Sequence, residues 1–168
     1  MQADEKPMIL LKSMKDEFLF TTRGLIFSDG DTAASPKRKV TRTNWNEARV
    51  TNVQLETAGI VDLDIEISFF FQKQWKIELV KAEVENAKLV FRCLDAIANR
   101  QINDERLLAM EQLAFKMNGN INCHLMPGSD PVAFSDAITS ASSKWAVRMV
   151  ETYHPYSYEK EMNSILER

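Results

Sequence analysis

Between Asp62 and Phe71 the chain alternates: Leu63, Ile65, Ile67, Phe69 and Phe71 are apolar, while Asp62, Asp64, Glu66 and Ser68 between them are polar. A period of two puts successive side chains on opposite faces of a strand, so one face must be buried and the other wet. Trp75, Ile77 and Leu79 repeat the pattern against Lys76 and Glu78, and Gln72-Lys73-Gln74 supplies a polar turn between the runs. Together they predict an antiparallel hairpin.

A second hairpin is expected from Phe18–Thr21 and Leu25–Ser28, hinged at Thr22-Arg23-Gly24, where glycine can take the positive φ of a tight connection. Residues 29–36 are rich in turn formers, and Lys37 to Thr43 then reads as a polar edge strand with Val40 as its one strong apolar anchor. After Val80 the period changes. Val84, Ala87, Phe91, Leu94 and Ala98, flanked by Val90 and Ile97, recur at helical spacing and predict a helix from about Val84 to Arg100. Asp104 can cap a second helix over Glu105–Met117, with Leu107, Leu108, Met110, Ala114 and Phe115 as its buried side. Ser135 or Asp136 can cap a third, with Ile138, Ala141, Trp145, Met149 and Tyr153 on one stripe, broken by His154-Pro155. A short last helix from Ser157 would present Tyr158, Met162, Ile165 and Leu166.

Two segments carry a family likeness. They are Phe18-Leu19-Phe20-Thr21-Thr22-Arg23-Gly24-Leu25-Ile26-Phe27-Ser28-Asp29, and Val53-Gln54-Leu55-Glu56-Thr57-Ala58-Gly59-Ile60-Val61-Asp62-Leu63-Asp64-Ile65-Glu66. The pattern of a strand pair around Thr-x-x-x-Leu-Ile, followed by Glu-Thr-Ala-Gly-x-x-Asp-x-Asp-x-Glu, resembles the bacterial pleckstrin-homology family. The resemblance covers residues 8–101. It implies an α+β fold: a PH-like bent antiparallel sheet, or partly open barrel, capped by a carboxy-terminal helix. Two parts follow from it, a PH-like domain at 8–102 and a helical extension at 103–168 that packs on the first domain or on a partner. The resemblance further implies self-association through sheet edges rather than catalysis.

The bulk properties narrow the function classes. With 45% hydrophobic and 27% charged residues the chain is globular material rather than a disordered segment, and it has no apolar run long enough to span a bilayer. The opening Met1-Gln2-Ala3-Asp4-Glu5-Lys6-Pro7 lacks the apolar block of an export signal, and Cys93 and Cys123 are too few for a disulfide framework. A cytoplasmic address is the expectation. Net charge is −3, so attraction to an acidic surface would have to come from a local patch.

That patch is Lys37, Arg38, Lys39, Arg42 and Arg49. Alternation along a strand sends Lys37 and Lys39 one way and Arg38 and Arg42 the other, which works against a converging phosphate cradle and favours a charged edge that resists unwanted pairing. Nucleic acid is disfavoured further, because no aromatic platform is interleaved with the bases. Asp62, Asp64 and Glu66 project from one strand face about 7 Å apart, which is the look of a solvated face more than of a cation site. Cys123-His124 and His154 have neither the ligand spacing of a zinc site nor a nucleophile's partners, and glycine-rich phosphate loops are absent from the sequence.

The expectation is therefore a non-enzymatic binding or assembly module with no cofactor and no metal. It would contact a protein partner or a second copy through a sheet edge and the carboxy-terminal helices, using Lys37, Lys39, Arg42, Trp145 and Tyr153. Recognition of anionic membrane lipid or phosphate by residues 37–49 is one alternative. A phage or bacterial effector that binds a host protein is another.

Overall fold

The computed structural model describes residues 3–13, 15–30, 38–57, 64–118, 128 and 130–167. They form strands β1 (Pro7–Lys12), β2 (Glu17–Thr21), β3 (Gly24–Gly30), β4 (Arg38–Asn44), β5 (Thr51–Glu56), β6 (Asp64–Phe71) and β7 (Lys73–Val80), then helices α1 (Val84–Asn118), α2 (Pro131–Tyr153) and α3 (Glu159–Leu166). The strands make two antiparallel sheets, one of order β1-β2-β3-β4 and one of order β5-β6-β7. The chain divides into two compact units, Met1–Arg100 with Tyr156–Arg168, and Gln101–Pro155.

The first unit is built by the alternation seen in the sequence. Ile65, Ile67, Phe69 and Phe71 of β6 and Trp75, Ile77 and Leu79 of β7 are all buried, and they meet Ile9, Leu11, Phe18, Phe20 and Leu25 of the other sheet in one core. The same core takes in Ala87, Val90, Cys93, Leu94 and Ile97 from the first turns of α1. Burying each large aliphatic side chain there contributes about 1.5–3 kcal/mol. Aromatic rings fill the rest: Trp45 lies 4.9 Å from Phe71, and Phe27 lies 5.1 Å from Trp75 in an edge-on contact. Both buried indoles are satisfied, Trp45 Nε1 donating to the Thr21 carbonyl at 2.9 Å and Trp75 Nε1 to the Phe71 carbonyl at 3.0 Å.

Several local expectations need correction. The β6–β7 turn is tighter than Gln72-Lys73-Gln74: Phe71 already pairs with Lys73, and Gln72 alone turns the chain with φ 60°. Val40 anchors nothing in the core, being 63% exposed, because its position on β4 faces outward with Arg38 and Arg42. Gly24 is needed for space, not for positive φ, since a Cβ there would sit 2.3 Å from the Thr43 carbonyl oxygen of the neighbouring strand.

The helices differ more. Asp104 caps nothing, for α1 runs unbroken through it to Asn118, and no glycine or proline within the segment interrupts the hydrogen-bond ladder. Helix α2 starts before Ser135. The Asp130 carboxylate accepts from Val132 N at 2.9 Å, and Pro131, with its φ already fixed, takes the first turn. At the other end His154 N donates to the Val150 carbonyl at 2.9 Å, closing the helix.

Helix α3 belongs to the first unit. Tyr158 and Met162 are buried in its core with Ile165 and Leu166 packed alongside, Tyr158 N donates to the Thr22 carbonyl at 2.8 Å, and Arg100 Nη1 meets Glu161 at 3.1 Å. Met162→Ala should therefore lower unfolding stability by about 2–5 kcal/mol in urea titration, as for any large side chain removed from a core. A change below about 0.5 kcal/mol would show that α3 merely rests on the surface.

Candidate functional site

The basic segment lies on β4, the last strand of its sheet. Pairing of Ile26 with Arg42 and of Ser28 with Val40 fixes which side chains share the outer face. On that face Arg38 Nη1 reaches Glu17 at 3.0 Å, and Lys12 approaches the same carboxylate at 3.6 Å. The Arg38 hydrogen bond, more than the charge of Lys12, holds the Glu17 carboxyl below its usual pKa.

Arg42 is drawn inward. Its Nη1 lies 2.8 Å from Glu5, whose side chain has no exposure, and its Nε donates to Asn44 Oδ1 at 2.8 Å. Glu5 also accepts from the Thr21 hydroxyl, which in turn accepts from Gly24 N at 2.9 Å. Trp45 N donates to the Arg23 carbonyl at 3.0 Å, and Thr22 N donates to the Lys6 carbonyl at 3.0 Å. One polar junction thus ties the amino-terminal segment, the β2–β3 turn and the end of β4. Arg42 is part of that framework, while Lys39 is exposed and makes no ion pair with a described residue. Lys37 lies outside the described residues.

On the second sheet Glu56, Glu66 and Glu78 stand directly opposite one another across β5, β6 and β7. Lys76 Nζ bridges Glu66 at 2.8 Å and Glu78 at 3.6 Å, and the Glu66 contact raises the Lys76 pKa above its ordinary value. Among the described residues no group of three or more His, Cys, Asp or Glu is placed to hold a metal ion. Asp62, Cys123 and His124 lie outside the described residues. Burial pushes the Cys93 thiol up to about 11, so at neutral pH it is not a thiolate and is a poor nucleophile.

The two aromatic candidates sit in the other unit. Trp145 stacks on Phe115 with centroids 4.5 Å apart, so its ring is held within the helical pair, and Tyr153 ends α2 half-buried. The exposed apolar side chains there include Leu107, Met110, Leu113 and Phe115 on α1, and Val132, Ile138, Val147 and Val150 on α2. Sequence periodicity pointed at Leu107 and Met110 but assigned them to burial, because a stripe announces a face without naming its cover. No described helix is long and apolar enough to cross a membrane.

With this geometry the comparisons with known proteins agree. Residues 1–99 match the profile of the Bacterial PH domain family. The chain belongs to that family. It is 30% identical over 153 residues to the uncharacterized protein YvbH of Bacillus subtilis strain 168, which covers 90% of this chain and 75% of the relative. A crystal structure of a PH domain containing bacterial protein from Exiguobacterium sibiricum 255-15 superposes with a TM-score of 0.86 at 26% identity, covering 96% of this chain and 87% of the other. Both similarities run beyond residue 99, into the segment that follows the PH-like domain.

The junction and the edge lysine separate in a simple test. Arg42→Ala removes the guanidinium 2.8 Å from the buried Glu5 carboxylate and should cost about 3 kcal/mol in urea unfolding. Lys39→Ala should change stability by less than about 0.5 kcal/mol. Equal effects would contradict the division of roles.

Proposed function

We propose that the chain is a non-catalytic assembly module in which the PH-like domain is brought into a homo-oligomer by the helical unit of residues 101–155. The supporting observation is the exposed apolar surface of that unit. On α1, Leu107, Met110 and Ala114 fall at i, i+3 and i+7, the spacing of a coiled-coil seam, and Met110 is 67% exposed. Such a stripe remains wet until another helix covers it.

Charge placement fits a parallel pairing of two copies. Arg106 immediately precedes the seam and Glu111 follows Met110, five positions apart, and neither makes an ion pair with a described residue. In a parallel two-stranded coiled coil residues so placed meet across the interface, so Arg106 of each copy would face Glu111 of the other. A seam of eight residues, little more than one heptad, is short for a free-standing coiled coil. Val132, Val147 and Val150 of α2 supply further exposed apolar surface in the same unit.

The β4 edge offers less, since an exposed strand bearing Arg38 and Lys39 resists pairing with another edge. An anionic-ligand reading is also weakened: Arg42 is committed to Glu5 and Arg38 to Glu17, which leaves few convergent cations on this face.

Light scattering on the full chain tests the proposal. The native protein should exceed monomer mass at micromolar concentration, and Met110→Glu should return it to monomer with its circular dichroism unchanged. Arg106→Glu should weaken association, and adding Glu111→Arg should restore it. A native chain that is monomeric throughout, or a Met110→Glu variant that still assembles, would refute the proposal.

A further inference from the structure

Beside β7 runs a cleft of about 420 Å³, bounded by Lys76–Val80 on one side and by Ser13, Lys15, Asp16 and Phe18 on the other. Ile77 and Leu79 point into the core, while Lys76, Glu78 and Val80 point outward. A cavity that touches both sets lies along the strand's edge, where main chain rather than either face is presented. β7 is the last strand in its sheet, and among the described residues no strand pairs with its other edge. Its outward N–H and C=O groups are therefore a template for one more strand. Five residues of strand span about 17 Å.

Hydrogen bonds tie Ser13 and Asp16 of the far wall to one another and to β3. Ser13 N donates to the Asp16 carbonyl at 2.9 Å, Ser13 Oγ accepts from Asp16 N at 3.0 Å, and Asp16 Oδ1 accepts from Gly30 N at 3.1 Å. A Cβ on Gly30 would sit 2.3 Å from the Lys15 carbonyl oxygen, so this turn closes onto β3 only because residue 30 is glycine. A preformed wall spares a ligand the cost of ordering it.

Charge decides what kind of strand would fit. The row Glu56–Glu66–Glu78 crosses all three strands of the sheet, and Lys76 is held closer to Glu66, at 2.8 Å, than to Glu78, at 3.6 Å. A strand added beside β7 would place its next residue in that row, directly opposite Glu78, where an opposite charge stabilises and a like charge destabilises. Val80, exposed on the same strand two residues on, offers apolar contact beside it.

We infer that this cleft receives an extended peptide segment of a partner protein, paired by main-chain hydrogen bonds to β7, with alternating apolar residues and a lysine or arginine opposite Glu78. This is the β-augmentation mode of peptide recognition. The cleft is lined by residues of the first unit alone, and the inference does not depend on association through the helical unit.

The probe is a capped nonapeptide of alternating valine and threonine with one central lysine, added to the full chain while amide hydrogen exchange is followed. Exchange should slow at residues 76–80 and nowhere on β4. A peptide with glutamate in place of lysine should bind about fivefold more weakly, and Glu78→Lys should reverse that preference. Methylating the alternate peptide nitrogens that face β7 should abolish protection. Unchanged exchange at saturating peptide, or equal binding of the methylated peptide, would overturn the inference. So would amides at 76–80 that are already protected in the free chain and lose protection on dilution, since the edge would then belong to a second copy.

Discussion

Two sheets with one greasy side each, and one helix with one greasy stripe, cannot leave water separately; everything else in the PH-like unit depends on their doing so together. Ile67, Phe69 and Ile77 from one sheet, Leu11 and Phe20 from the other, and Val90, Leu94 and Ile97 from α1 share a single core. Because the side-chain period of a strand is two, that burial also fixes what faces outward. Arg38 and Val40 are outward on β4 for this reason, as are Glu66 and Glu78 on the second sheet.

Polar contacts then hold particular ends in place. The Glu5–Arg42 pair, the Thr21 hydroxyl and the Trp45 indole link segments distant in sequence, and Tyr158 N joins the same turn from the carboxy-terminal side. Buried charges of this kind carry a desolvation cost and persist when each is paired. Their consequence for function is subtractive: a cation spent on a buried carboxylate does not greet a ligand. Within the basic segment Arg42 is held by the buried Glu5, and Arg38 is paired with the partly exposed Glu17. Exposed apolar side chains on the helical unit and the end strand β7 are among the surfaces left without a partner among the described residues.

Much of the first unit was legible in residues. Alternation at 63–71 and 75–79 located β6 and β7, the change of period at Val84 located α1, and the two quoted segments identified the family before any coordinates. The helical boundaries were harder. Asp104 has the chemistry of a cap, yet nothing in Gln101–Asn103 stops a helix, so continuity won. Ser135 and Asp136 have the chemistry of a cap too, but Asp130-Pro131 starts the helix first, because proline fits a first helical position as well as a turn.

The sequence alone determined the strand faces, the amphipathic first helix and the resemblance to the PH domain, since these follow from periodicity and short-range pattern. Which charges are spoken for, what covers Met162 and which apolar side chains stay wet were decided only by tertiary structure. Glu5 and Arg42, or Thr22 and Tyr158, are joined by contacts whose partners stand far apart along the chain, and no local pattern announces them. Burial of a stripe is likewise a property of two surfaces, and a single sequence segment describes only one.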